Sequence, residues 1–202
     1  MRMRQHVNPL GLGFKTYRDA IPTLDPERPV EVEIGCAEAQ FLFERASAEP
    51  GGQYIGLEIR DSLVHRVNAR ARAEGVPIQA LVCHANHHLR RVCGDAAVDV
   101  VHVLFPDPWF KKRQRKRRVV DPQLARDIRA VLKPGGELHF ASDVFEVALD
   151  ALAVFEEEES LQNVSGPWSF YKEPNPYHAR SWREENCEER GMRVWRMLYR
   201  PV

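Results

Sequence analysis

The segment Leu104-Phe105-Pro106-Asp107-Pro108-Trp109 sets one carboxylate between two prolines, with an aromatic ring on either side. Each proline fixes its own φ at about −65°, and Pro108 pushes Asp107 towards extended backbone, so the acid stands on a stiff arm. Such a carboxylate can orient a planar substrate that donates hydrogen bonds; the alternative is a purely structural turn. Directly after it, Lys111-Lys112-Arg113-Gln114-Arg115-Lys116-Arg117-Arg118 places seven cations in eight residues. Without that run the chain has 22 basic residues against 29 acidic ones, although overall it carries 29 of each. Charge segregated in this way is the footprint of a polyanion site. A solvated helix face and a localisation signal are the alternatives. Adjacency to Asp107 favours phosphate positioning.

A second group of polar residues has the spacing of a cofactor pocket. Glu33-Ile34-Gly35 closes a short apolar run, and Gly35 permits a tight turn and a close approach of backbone to ligand. The segment is not a GxGxxG fingerprint, and Ala37 and Ala39 put methyl groups where a pyrophosphate needs bare backbone. Glu58 follows 23 residues after Gly35, the distance at which an acid holds the ribose hydroxyls of a nucleoside. Asn86 offers an amide that could read an adenine edge. Any one of these could be a loop-capping group. Their recurrence at successive strand ends describes a nucleoside pocket without pyrophosphate, which S-adenosylmethionine fits. Cys83, His84, His87 and His88 cluster, but no further ligand pattern supports zinc, so no metal is expected.

The elements that must position these residues alternate. Strands are expected at 30–34, 53–58, 78–83, 98–104 and 137–142, with helices over 37–48, about 60–74, 122–132 and 145–159. Alternation of this kind predicts an α/β architecture, a mostly parallel central sheet with helices on both faces. Lys133-Pro134-Gly135-Gly136 reads as a helix stop and tight turn. Residues 1–29 read as a basic arm, 30–160 as the cofactor-binding core and 161–202 as a substrate-side segment of one domain. Beyond residue 160 the pattern weakens to a proline- and aromatic-rich cover over 166–178 and a late strand at 192–199.

Composition sets the class. At 202 residues, 44% hydrophobic and 29% charged, the chain is long enough for a full core and too apolar to be disordered. The longest apolar stretch, Val98 to Phe105, is interrupted by Asp99 and His102, far short of the roughly 20 residues a membrane helix needs. Four cysteines without a CxxC pair and an N-terminus without a secretory h-region predict a cytoplasmic protein. A monomer is expected.

Taken together, EIG at 33–35, LFPDPW at 104–109 with its basic run, SD at 142–143 and RQHVNPL at 4–10 resemble the bacterial tRNA (guanine-N7-)-methyltransferases over nearly the whole chain. The resemblance implies a Rossmann-like fold, S-adenosylmethionine as cofactor, and methylation of the variable-loop guanine (position 46 in standard tRNA numbering). It places Glu33, Gly35, Glu58, Asn86 and Asp107 on the cofactor, with Asp107 also the active-site carboxylate. Lys111 and Asp143 fall on the tRNA side, as does Ser181-Trp182-Arg183-Glu184, the counterpart of a Thr-x-aromatic-Glu motif. Ala37 and Ala39 stand where the family carries glycines, Arg183 where it carries an aromatic, and Asn186 where it carries an arginine. Trp109 or Phe105 is expected to stack on the target base. The rival readings are a methyltransferase acting on another RNA or protein nitrogen, and a non-catalytic RNA-binding module on the same scaffold.

Overall fold

The computed structural model describes residues 9–11 and 22–202. Most of the basic arm, including Arg2, Arg4, Lys15 and Arg18, lies outside the described residues.

Among the described residues, seven strands form one sheet in the order β3-β2-β1-β4-β5-β7-β6. The first five are β1 (Val30–Ile34), β2 (Gln53–Glu58), β3 (Ile78–Val82), β4 (Val98–Leu104) and β5 (Leu132–Ser142), all parallel. β7 (Trp195–Pro201) runs antiparallel to both β5 and β6 (Leu161–Asn163). Helices α1 (Gln40–Ala48), α2 (Asp61–Glu74), α3 (Ala85–Cys93), α4 (Pro122–Val131) and α5 (Phe145–Glu156) follow the first five strands in turn, and α6 (Trp182–Glu189) precedes β7. Strand order reverses between β1 and β4, so the crevice in which open α/β sheets bind ligands lies at the carboxyl ends of these two strands, flanked by those of β2 and β5.

Two apolar layers hold the sheet. One joins Val32, Ile34, Ile55, Leu57, Val101, Val103 and Phe140 to α3, α4 and α5. The other joins Tyr54, Ala80, Val82, Leu104 and Ala141 to α1 and α2. This second face also carries a polar row. Glu31 pairs with Arg45 through both guanidinium arms (2.9 and 2.5 Å), and Arg45 donates to the Tyr177 carbonyl. His102 Nε2 lies 3.0 Å from Glu31 Oε2, and its Nδ1 lies 3.2 Å from His139 Nδ1. Burial pushes the pKa of both imidazoles down, favouring their neutral forms. A carboxylate only accepts, so His102 donates from Nε2 and accepts at Nδ1 from His139.

Expectation and structure differ at several boundaries. α1 starts at Gln40 rather than Ala37, because Ala37 and Ala39 take left-handed φ of 51° and 54°. The KPGG segment is an excursion inside β5: Leu132 already pairs with Val98, and Glu137 resumes the ladder at Val100. Gly136 makes this possible, since a Cβ there would lie 3.0 Å from the Asp99 carbonyl. β6 and α6 have no counterpart among the expected elements, and the late strand is Trp195–Pro201.

Candidate active site

Glu33, Glu58, Asn86, Asp107 and Asp143 fall at or within a few residues of a strand's carboxyl end, and Lys111 lies further on, at the start of the basic segment. Glu33 is next to last in β1 and Gly35 follows that strand with φ of 78°. Glu58 ends β2, Asn86 is the second residue of α3, Asp107 follows β4, and Asp143 follows β5. Gly56, in register with Glu33, lets the first loop settle on the sheet, because a Cβ there would meet Cys36 Sγ at 2.5 Å.

The two carboxylates of the cofactor side differ in company. Glu58 accepts from Ala37 N (3.1 Å), Arg60 N (3.0 Å), Arg60 Nε (3.0 Å) and Arg60 Nη2 (2.8 Å). Glu33 is only 4% exposed, and its Oε2 has no hydrogen-bond partner. Burial, reinforced by the charge of Glu58, pushes the Glu33 carboxyl up to about 8. A buried oxygen without a donor, at the edge where a nucleoside cofactor is expected, suits a cationic or hydrogen-bonding ligand group. Ribose hydroxyls reaching Glu58 would replace the Arg60 side chain, which now holds both carboxylate oxygens. Asn86 Nδ2 donates to the Val119 carbonyl (2.7 Å) and Asp121 Oδ2 (2.8 Å), leaving Oδ1 for a ligand donor.

Backbone strain gathers in the same place. Seven non-glycine residues have positive φ among the described residues; four of them, Ala37, Ala39, Phe105 and Trp109, lie in the two loops of this edge. A left-handed alanine costs on the order of 1–2 kcal/mol, so the strain is concentrated where a ligand would meet the backbone. It also accounts for the glycines that the resembling family carries at 37 and 39.

The basic segment forms a 3-10 helix over Lys112–Arg117. Its cations divide into two sets. Arg118, nearly buried, donates to the Pro108 carbonyl (3.0 Å) and pairs with Glu146 and Asp150 on α5, and Arg115 also pairs with Glu146. Arg118 therefore fastens the Pro-Asp-Pro arm to α5, and Arg115 fastens the 3-10 helix to it. Lys111, Lys112, Arg113 and Lys116 are exposed. Arg117 lies over the Trp109 ring at 5.0 Å. Asp107 is exposed, and its charge is felt by Arg60, which links the cofactor side to the arm.

The C-terminal motif is divided as well. Ser181 caps α6 by accepting from Glu184 N at 3.2 Å. Glu184 is fully buried, bound by Asn175 Nδ2 at 3.1 Å and Arg196 Nη2 at 2.5 Å. Arg183 reaches back to pair with Asp143, and Trp182 is 58% exposed. Sequence reasoning missed Arg60, Arg196 and the Asp143–Arg183 pair. For Arg60, the one available signal was its place two residues after an acid at a strand end. Among the described residues no group of three or more His, Cys, Asp or Glu is placed to hold a metal, and no helix is long and apolar enough to cross a membrane.

Residues 27–197 match the family Methyltransf_4, described as "Putative methyltransferase". The chain is 35% identical over 207 residues to a protein from Thermosynechococcus vestitus named tRNA (guanine-N(7)-)-methyltransferase, covering 98% of this chain and 94% of that one. A protein of the same name from Synechococcus elongatus is 36% identical, at 98% and 96% coverage. Among solved structures, the 16S rRNA methyltransferase KamB superposes with a TM-score of 0.61 at 18% identity, covering 86% of this chain and 88% of that chain. The aminoglycoside resistance methyltransferase NpmB1 gives 0.55 at 19% identity, with 96% and 92% covered. At those identities the structures show the Rossmann-like fold.

Proposed function

The chain belongs to the tRNA (guanine-N7-)-methyltransferase family, and on that footing we propose how it acts: it methylates N7 of a tRNA guanine, the base being the variable-loop guanine at position 46, with Asp107 as the group that orients it. S-adenosylmethionine, the methyl donor, supplies an electrophilic methyl group on a sulfonium. Glu33, Glu58, Gly35 and Asn86 are the residues that would hold it, and the donor-free oxygen of Glu33 fits a positively charged cofactor.

Guanine N7 carries an in-plane lone pair, so methylation removes no proton from the base. The protein's task is therefore orientation and charge stabilisation rather than general-base catalysis. Asp107 does both: its carboxylate accepts from the N1–H and N2–H edge of guanine and favours the positive charge that develops on the purine. The proline-fixed arm, anchored through Arg118, keeps it in place. Lys111, Lys112, Arg113 and Lys116 take the phosphates around the splayed base, and Asp143, Ser181, Trp182 and Arg183 form the other wall, with the buried Glu184 fixing α6 behind it through Arg196. Trp109 and Phe105 have different standing as stacking partners. Phe105 packs against the core layer of α1 and α2, whereas the Trp109 ring sits with Arg117 beside Asp107.

The observation that carries this reading is the convergence of Glu33, Glu58 and Asp107 on one edge beside an exposed basic segment. Four buried thiols without a disulfide support a reducing, cytoplasmic setting. Nucleoside analysis of tRNA after methyl transfer tests it.

A further inference from the structure

The loop after β5 leads from Asp143 directly to an aromatic surface that the methyl-transfer site does not use. Phe145 opens α5 and is 46% exposed. Its ring lies 4.5 Å from Trp195 at the start of β7 and 6.2 Å from Phe170 in the loop after β6. Phe170 and Trp195 are 5.0 Å apart. Three elements remote in sequence thus bring three rings to one spot at the ligand edge, because Trp195 is the register partner of Ser142. The guanidinium of Arg193 lies 3.7 Å over the Trp195 ring.

Resting on the tRNA reading above, we propose that Phe145, Trp195 and Phe170 form a stacking platform for an unpaired nucleobase of the RNA next to the target guanine. The charge around the rings suits a polyanion. Arg193 adds a cation to the platform. The carboxylates flanking Phe145 in sequence already have partners, Asp143 in Arg183 and Glu146 in Arg115 and Arg118. The surface also adjoins the wall assigned to the substrate, since Asp143, two residues before Phe145, pairs with Arg183 of that wall. Aromatic rings interleaved with guanidinium groups are the usual composition of single-stranded nucleic-acid sites, where every base offers a face to stack on. A base that leaves its helix for the active site disturbs its neighbours, and a platform one step away would catch one of them.

The experiment uses the full chain and an unmodified tRNA transcript, comparing the wild type with Phe145→Ala, Phe145→Leu and Phe145→Trp. The tRNA KM, kcat, S-adenosylmethionine Kd and salt slope of tRNA binding are measured for each. Phe145→Ala and Phe145→Leu are expected to raise the tRNA KM about tenfold with cofactor Kd and salt slope unchanged, and Phe145→Trp to restore the wild-type value. An unchanged KM in Phe145→Ala overturns the platform alone, as does an equal loss of cofactor binding. A wild-type dimer that Phe145→Ala converts to an active monomer with wild-type KM would show the surface joining two copies of the chain instead. Wild-type protein that leaves tRNA untouched overturns the tRNA reading and the platform with it.

Discussion

Glu33 and Glu58 face the crevice from neighbouring strands, yet only Glu58 has a counter-ion. Arg60 grips both oxygens of Glu58, while Glu33 Oε2 has no donor at all. The asymmetry gives the two acids different work: Glu58 is tied to Arg60, and burial favours the neutral form of Glu33 until a cation arrives.

Cofactor binding is therefore expected to release a proton. In the empty site Glu33 stays protonated up to a pH of about 8, and a cationic ligand beside it favours the carboxylate. Because the bound form has the lower pKa, affinity for S-adenosylmethionine should rise with pH and level off near 8. Calorimetry at pH ~7 in two buffers of different ionisation enthalpy measures the proton. Glu33→Gln should abolish the pH dependence, and heats that are identical in both buffers would count against the assignment.

Asp107→Asn keeps size and shape but loses the charge and one acceptor. Cofactor affinity should be retained while kcat on tRNA falls roughly 10²–10³-fold, the scale for losing one preorganised electrostatic group. Wild-type turnover in this variant would remove Asp107 from the mechanism.

The basic segment should separate into two phenotypes. Replacing Lys112, Arg113 or Lys116 by Gln should reduce the log–log salt slope of tRNA binding by about 0.7–0.9 for each phosphate left without its cation. Arg118→Ala should instead lower kcat at an unchanged slope, since Arg118 holds the Pro108 carbonyl and α5. Equal slopes across all four variants would contradict the division.

The buried row under the crevice predicts acid lability. Burial holds His102 and His139 below the ordinary imidazole value of 6.5, so the stability of their neutral forms is lost as pH falls below 6.5. Arg45 and His102 hold Glu31 at about 2, so its contribution, present above 4.5, is lost between 4.5 and 2. Both act in the same direction. Arg45→Met should cost about 3–5 kcal/mol by stranding Glu31, read from denaturant unfolding at neutral pH; a cost under about 1 kcal/mol would show that the pair is solvated.

Much of this organisation was legible in the sequence. The bounds of β1, β2 and β4 match the apolar runs, and the parallel topology carries Glu33, Glu58 and Asp107 to one edge once the alternation of strands and helices is seen. What was not legible depended on partners distant in sequence. VEVEI alternates apolar and acidic residues, yet all five are buried: Arg45 and His102 satisfy Glu31, while Glu33 is buried with Oε2 lacking a donor. The start of α1 falls later than expected because alanine gives no local sign of a left-handed φ. Ser181-Trp182-Arg183-Glu184 has the spacing of a helix capping box as well as of a substrate motif. Its serine does cap α6, and its glutamate lies under Arg196, a residue no local pattern connects to it.

The most direct test is methyl transfer from labelled S-adenosylmethionine to an unmodified tRNA transcript, followed by nucleoside analysis. The expected product is 7-methylguanosine, and it should disappear when the variable-loop guanine is replaced by adenine. A different methylated nucleoside, or 7-methylguanosine that persists after that replacement, would contradict the assignment of the target base.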